Sequence, residues 1–439
     1  MSNTRHARLL GPWMTLALVI SGVVGSGIFY LPIALAPLGG SVPIGWLISG
    51  IGMMALAYCA SRIVSPDGGG LQAYVEHELG SAPGFIVTWM TWCSSWVGVP
   101  AVALASAGLA QAIPGAGHHL IALSFGIIAI LALINLFGVR ATGDFAIITV
   151  LIKVLPIIAV VAIAVVLGAT GGPLQPIDVP APSLGNIATA SALCLFALTG
   201  FEFAMSPVGK IRNPERNLVR ALTFGLAGIA IAYLLTTLSL SLIIPNAHIA
   251  KSITPFPDAI GHYWGGGAST LAMLAITASA LGGLNAALLG AGEMLFSMSL
   301  RGNMPRFLSR TNRFNAPYAA QLGSIALSCI LLALNSAKET TQLFGFITIL
   351  ASDAVLYLYA TAAIAAAIKD KKPLTFAAMT IGLAFVLFAF YGSGLESFLL
   401  SLGLLLVGAV MFLIRKPLIT SPPELSPGAR PDLSRDARA

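Results

Sequence analysis

The chain has 439 residues, 57% of them hydrophobic and only 9% charged, with a formal net charge of +7. Soluble domains carry roughly 25% charged residues, so these are too few to cover a water-facing surface, and the chain reads as an integral membrane protein. Its positive balance does not mark a nucleic-acid partner, because the basic residues are scattered over short loops instead of being gathered on one soluble face.

Uncharged runs of about 20 residues, the length a helix needs to cross the hydrocarbon core, recur along almost the whole chain. They predict twelve spans, near residues 12–34, 42–63, 84–112, 119–139, 144–168, 186–208, 219–244, 268–298, 318–334, 341–368, 373–391 and 395–414. With both termini in the cytoplasm, 20 of the 23 Lys and Arg fall inside, Lys251 and Lys338 fall outside, and Lys153 lies within a span. That distribution obeys the positive-inside rule. The first apolar run is too long for a signal peptide and lacks a small-residue cleavage site, so it reads as a retained helix. Cys59, Cys93, Cys194 and Cys329 all sit in apolar spans, where a thiol behaves as a small hydrophobe. They predict neither a disulfide framework nor a metal site.

The first span carries Ser21-Gly22-Val23-Val24-Gly25-Ser26-Gly27-Ile28-Phe29 at its middle. Glycine costs a helix interior about 1 kcal/mol relative to alanine, so three of them mark a break or a close helix–helix approach. A break would leave the half-helix that begins near Ile28 with free N–H groups and a positive dipole end facing the gap, which suits an anion. The second helix ends at Arg62. The polar stretch 66–80 that follows holds Gly68-Gly69-Gly70 and predicts a turn followed by a short interfacial helix. It lacks the Lys-Ser/Thr of a phosphate loop.

On the third span Trp89, Trp92 and Trp96 share one helical stripe, which reads as packing or interfacial anchoring, and Ser94 and Ser95 add polarity beside it. Lys153 lies on the fifth span, about nine residues or some 14 Å into the apolar layer. The sixth span carries Phe196-Ala197-Leu198-Thr199-Gly200-Phe201-Glu202, again near its middle and running opposite to the first span. Two interrupted helices, each opening a group of five, are what an inverted-repeat transporter shows. The tail after Lys416 is rich in Pro, Ser, Arg and Asp and reads as disordered.

Four ionisable groups fall inside spans, Lys153, Glu202, Glu293 and Asp353, and each costs about 2.5 to 3.5 kcal/mol at a helix centre unless it faces a cavity or a partner. Lys153 reads either as a desolvated lysine that exchanges protons or as a permanent cation holding freed carbonyls. Glu202 could gate or bind an amine, Glu293 could snorkel, and Asp353 could pair with a basic group that the sequence does not identify. His6, His77, His118, His119, His248 and His262 are read in loops or at the chain tip. No nucleophile motif, metal cluster or repeated channel filter is visible, so enzyme and channel are disfavoured and no cofactor is expected.

Taken together, Gly25-Ser26-Gly27-Ile28-Phe29 with Leu31-Pro32, Gly69-Gly70 before Ala73-Tyr74, Gly200-Phe201-Glu202, Asn213-Pro214-Glu215-Arg216-Asn217, Ile244-Pro245-Asn246-Ala247 and Pro255-Phe256-Pro257-Asp258-Ala259 resemble the amino acid-polyamine-organocation transporters. The likeness is to the bacterial arginine/agmatine antiporter branch. It implies an all-α membrane protein of twelve helices in the LeuT-type fold, within a single transporter domain spanning 1–439. Inverted repeats would occupy 12–168 and 186–368, two peripheral helices 373–414, and a cytoplasmic tail 417–439. It also implies a substrate carboxylate on the backbone at Gly25, Ser26, Gly27 and Ile28. The α-amino group would meet carbonyls near Val23 and near Phe196, Ala197 and Thr199, with Ser95, Gly200 and Ala287 completing the substrate site. Lys153 and Glu202 would serve coupling or gating. Lys153 matches a lysine that stands in for sodium in branches carrying neutral amino acids, so no sodium requirement is expected.

Phe196, Ala287 and Val99 depart from the residues that enclose a guanidinium in the arginine antiporters. The sequence therefore predicts a plasma (inner) membrane secondary transporter of small or neutral L-amino acids, by proton symport or exchange. A cationic amino acid or polyamine antiporter is the alternative, and a membrane sensor that moves nothing is the rival of another class. Expected partners are the amino acid, protons and the lipid bilayer, with a homodimer left open.

Overall fold

The computed structural model describes residues 11–25, 27–64, 70–111, 119–136, 143–175, 181–205, 211–338 and 340–414, without the side chains at 18, 21, 109–111, 143–153, 203–204 and 340–341. In chain order the described helices are α1 (Pro12–Val23), α2 (Gly27–Leu35), α3 (Ser41–Arg62), α4 (Gly70–Leu79), α5 (Ser81–Gln111), α6 (Leu120–Leu136), α7 (Gly143–Thr170), α8 (Leu184–Leu198), α9 (Pro214–Ile243), α10 (Asn246–Ile249), α11 (Pro255–Trp264), α12 (Gly266–Leu300), α13 (Tyr318–Leu334), α14 (Thr340–Lys369) and α15 (Pro373–Ile414).

Helix starts follow local chemistry. Proline opens α1 and α9, where its missing N–H costs nothing. The hydroxyl oxygen of Ser183 accepts the Asn186 N–H at 3.2 Å and caps α8. Among the described residues α3, α5, α9, α12, α14 and α15 are long and apolar enough to cross a membrane, and shorter apolar helices fall in the other predicted spans. A straight helix of the length of α15 would reach about 63 Å, twice the hydrocarbon thickness. It is interrupted at Gly394, whose φ of 80° a side chain would resist, in the gap between the last two predicted spans.

Helix α5 is the central post, packed against α14, α12, α6, α13 and α15. The tryptophan stripe is packing: the indole N–H of Trp89 donates to the Leu404 carbonyl at 2.9 Å and that of Trp92 to the Ser324 hydroxyl at 3.0 Å. Small buried residues on α14, Ala354, Ala362, Ala363 and Ala366, let neighbouring backbones approach. Large apolar side chains instead face outward, among them Leu133, Leu155, Phe224, Leu387 and Leu413, the inverse of a water-soluble surface.

The short helix expected after residue 70 is present as α4. His77, His248 and His262 are not in loops as the sequence suggested, but on the short helices α4, α10 and α11. The polar and proline-rich composition around these histidines forms short helices between spans, of ten residues in α4 and α11 and four in α10.

Ion pairs tie one end of the bundle: Arg62 to Asp370 at 2.6 Å, Lys369 to Glu78 at 2.7 Å, and Arg301 to Glu76 at 3.7 Å. Burial pushes the Glu78 carboxyl up, but the Lys369 ammonium hydrogen-bonded to it prevails and holds it below its ordinary 4.5. Arg62 likewise overrides burial and holds Asp370 below its ordinary 3.8. A carboxyl with a depressed folded pKa stabilises the protein above its unfolded pKa, and the effect is lost as pH falls through the folded value. The thermal midpoint should therefore fall as pH drops from about 6 towards 3, and Glu78→Gln should flatten part of that dependence. An unchanged profile in Glu78→Gln would show that the Lys369 pair carries no such linkage.

Candidate substrate site

Both predicted helix breaks are present, and they meet. Helix α1 stops at Val23; Val24 leaves helical geometry at φ −71°, ψ 90°, and α2 restarts at Gly27. Helix α8 stops at Leu198, Thr199 is extended at φ −74°, ψ 164°, and a 3-10 turn resumes at Phe201–Met205. The chain turns between them at Gly200, with φ of +104°. A Cβ placed on Gly200 would stand 2.4 Å from the Gly22 carbonyl oxygen, and one on Gly22 would stand 2.8 Å from the Gly200 oxygen. The two breaks therefore cross backbone to backbone, at a distance that only glycine on both strands permits.

Around this crossing the structure gathers most of the predicted site. Gly27, the first residue of α2, faces the Phe196 ring, whose Cε1 would lie 3.3 Å from an added Cβ. The other edge of that ring lies towards Gly98 of α5, and Gly98 in turn lies towards Ala351 of α14. Ser94 fixes that wall by donating to the Ala351 carbonyl at 2.7 Å. Val23 and Ile28 are buried at the mouths of the first break, and Ala197 at the second. Gly25 lies in the first break, and Ser26 falls outside the described residues.

Helix ends supply the electrostatics. The opening turn of α2 presents N–H groups without intrahelical acceptors, and the last turns of α1 and α8 present carbonyls without intrahelical donors. One of these carbonyls is already engaged: Phe196 O accepts the Thr199 hydroxyl at 2.7 Å and the Thr199 N–H at 3.3 Å. Of the carbonyls that the resemblance offers to an α-amino group near Phe196, Ala197 and Thr199, the Phe196 oxygen is thus occupied from within the chain. A carbonyl has two lone pairs, and Thr199 occupies both.

Glu202 is buried beside the second break. Its Oε2 accepts the Gly200 N–H at 3.0 Å and the Tyr359 hydroxyl of α14 at 2.7 Å. Tyr359 also stacks on Phe201 with ring centroids 4.9 Å apart. Sequence reasoning missed Tyr359, which lies 157 positions from Glu202 with no local motif to announce it. The Tyr74 hydroxyl of α4 donates to the Met205 carbonyl at 3.2 Å and anchors the far end of the 3-10 turn.

Other predicted residues lie further out. The Ser95 hydroxyl turns back on its own helix, donating to the Thr91 carbonyl at 2.9 Å. Ala287 is half-buried on α12, whose main packing partners are α5, α11, α13 and α7. Lys153 lies on α7, which packs on α12, α9 and α11, and its side chain is outside the described part. Asp353 is buried on α14 with Oδ2 unpartnered among the described residues, so the basic partner it could have had is not found there. Glu293 is half-buried on α12.

Crossed half-helices inside a bundle of apolar spans define a multi-pass membrane protein with a polar centre. The family model described as amino acid permease matches residues 10–416, and the chain belongs to that family. This agrees with the resemblance to the amino acid-polyamine-organocation transporters, and it makes the protein a permease and not an enzyme. The putrescine transporter PotE of Escherichia coli K12 is 26% identical over 87% of this chain and 90% of its own length. The cadaverine/lysine antiporter of the same organism is 26% identical over 78% of this chain and 79% of its own. A probable GABA permease of Pseudomonas aeruginosa is 25% identical over 79% of this chain and 76% of its own.

Gly200→Ala should destabilise the protein by about 1–3 kcal/mol, because it adds both the cost of positive φ and a collision with the Gly22 carbonyl. Thermal unfolding in detergent measures this, and a midpoint equal to wild type would mean that the two breaks do not touch.

Proposed function

We propose that the chain is a secondary antiporter that exchanges a polyamine or cationic amino acid across the plasma (inner) membrane by alternating access. What supports the cationic substrate over the small neutral amino acid expected first is that the named relatives carry putrescine, or cadaverine and lysine. The GABA of the third relative shares with these a primary ammonium at the end of an unbranched carbon chain. The observation that carries the reading in this chain is a buried carboxylate, Glu202, held by Gly200 and Tyr359 beside the crossed breaks. A buried carboxylate needs a counter-charge, and an arriving ammonium supplies one.

In this reading the methylene chain lies against Phe196, whose ring face also attracts a cation. Where the substrate has a carboxylate, the N–H groups of Gly25, Ser26, Gly27 and Ile28 receive it. Carbonyls near Val23 and Ala197 receive the α-amino group, and Thr199, Gly200, Ser95 and Ala287 shape the remainder. The twelve spans form a LeuT-type fold of two inverted five-helix repeats, 12–168 and 186–368, followed by the two halves of α15 and a cytoplasmic tail. Basic loops place both termini inside. Lys153 is the coupling residue, by proton exchange or as a fixed cation. A second reading, transport of small neutral amino acids, is favoured by Val99 and Ala287, which cannot enclose a guanidinium.

Counterflow in proteoliposomes with labelled putrescine, cadaverine, lysine, GABA and alanine tests the assignment. Diamine or lysine exchange should dominate; alanine exchange with no diamine exchange would favour the second reading, and binding without movement would favour a sensor. Glu202→Gln keeps the shape and removes the charge, so it should lower diamine exchange at least about tenfold, the loss of roughly 1.4 kcal/mol of binding. Gly27→Leu, which drives a side chain into the Phe196 ring, should abolish exchange in a folded protein. If Lys153 titrates, Lys153→Ala loses response to a proton gradient and keeps some exchange, whereas loss in every mode marks a fixed cation.

A further inference from the structure

Far from the crossed breaks, at the end of the bundle tied by the Arg62–Asp370 pair, a cavity of about 490 Å³ opens between α3, α9 and the start of α15. It is lined by Tyr58, Arg62, Glu215, Arg216, Arg220 and Lys372, together with Val219. Arg62 lies 2.6 Å and Lys372 3.5 Å from the same carboxylate, Asp370. Arg216 and Arg220 have no ion pair or side-chain hydrogen bond among the described residues. Four cations thus meet two carboxylates, Glu215 and Asp370, which leaves a surplus of two positive charges in one opening.

The cavity continues into apolar surface. On α9 the exposed positions Arg220, Phe224, Gly228, Ile231, Leu235 and Leu238 recur every three or four residues, so Arg220 is the head of a stripe facing out of the bundle. The stripe runs about 27 Å, close to the hydrocarbon thickness. On α3 the exposed Leu47 and Ile51 continue through the partly exposed Tyr58 to Arg62 on the same spacing. Two outward apolar stripes therefore converge on one basic opening, at the end of the apolar span α3 and the start of the apolar span α9. Arginine pairs with phosphate oxygens in a bidentate fork, and tyrosine suits the water–hydrocarbon boundary.

We infer that this cavity binds the phosphate headgroup of an anionic phospholipid, with acyl chains along the α9 and α3 stripes. A free phosphate shares the headgroup chemistry but makes no use of the stripes. The inference does not depend on the substrate assigned above.

The test uses the delipidated full-length protein in neutral detergent, titrated with phosphatidylglycerol, phosphatidylcholine or inorganic phosphate, with retention read by native mass spectrometry. Phosphatidylglycerol should bind about tenfold more tightly than phosphatidylcholine, weaken as salt is raised, and resist displacement by millimolar phosphate. Arg216→Ala/Arg220→Ala should lose that preference, while Arg216→Lys/Arg220→Lys keeps most of it and Arg301→Ala, a basic change outside the cavity, keeps all of it. Binding of inorganic phosphate that displaces the lipid would overturn the lipid assignment in favour of the free anion. Equal retention of the two lipids by wild type would overturn the proposal whether or not the variants fold, and so would an unchanged preference in a folded double alanine variant.

Discussion

The structure depends on one requirement, that backbone polar groups set free inside an apolar bundle find partners. Unwinding α1 at Val24 and α8 at Thr199 exposes N–H and carbonyl groups that hydrocarbon cannot satisfy. The chain meets this by crossing the two breaks at Gly22 and Gly200, so that each lines the other's gap. Local bonds take up part of the remainder: Thr199 closes on Phe196 O, and Glu202 accepts the Gly200 N–H. What is left over are helix-end groups, N–H donors on the α2 side and carbonyl acceptors on the α1 and α8 side. That polarity is a property of helix ends, and it exists before any ligand arrives.

The breaks are held by helices remote in sequence. Tyr359 of α14 reaches Glu202, and Tyr74 of α4 reaches the last carbonyl of the 3-10 turn. Both tyrosines combine a buried ring with one hydroxyl spent on a backbone or carboxylate partner, which fixes the turn without adding charge. Helix α4 is in turn clamped to α14 through Glu78 and Lys369. The 3-10 turn is thus connected through α4 to the ion-paired end of the bundle.

Much of this was legible in the sequence, for identifiable reasons. Glycine is the residue a helix tolerates least and a crossing needs most, so Gly22, Gly25, Gly27 and Gly200 announced the breaks. Gly394 falls in the gap left between the last two apolar runs. The membrane class followed from a charge content too low to clothe a soluble surface. The Tyr359–Glu202 bond was not legible, because a contact across 157 residues leaves no local pattern. The Thr199 cap was missed because the carbonyls near Phe196 were counted as free for the substrate, whereas a threonine hydroxyl readily closes on its own preceding turn. The preference for a neutral substrate rested on side chains absent at Val99 and Ala287. Glu202 reads in the sequence as able to gate or bind an amine, but its burial and its bonds to Gly200 and Tyr359, which make an ammonium its natural counter-charge, are visible only in the fold.

The central claim is that substrate sits where the two broken helices cross. A cryo-EM structure of the protein with putrescine or lysine bound tests it most directly. The account predicts elongated density between the Val23–Ile28 break and the Ala197–Glu202 turn, with an ammonium within hydrogen-bonding distance of the Glu202 carboxylate and the chain against Phe196. Clear ligand density elsewhere in the bundle, with the crossing at Gly22 and Gly200 closed and empty, would contradict it.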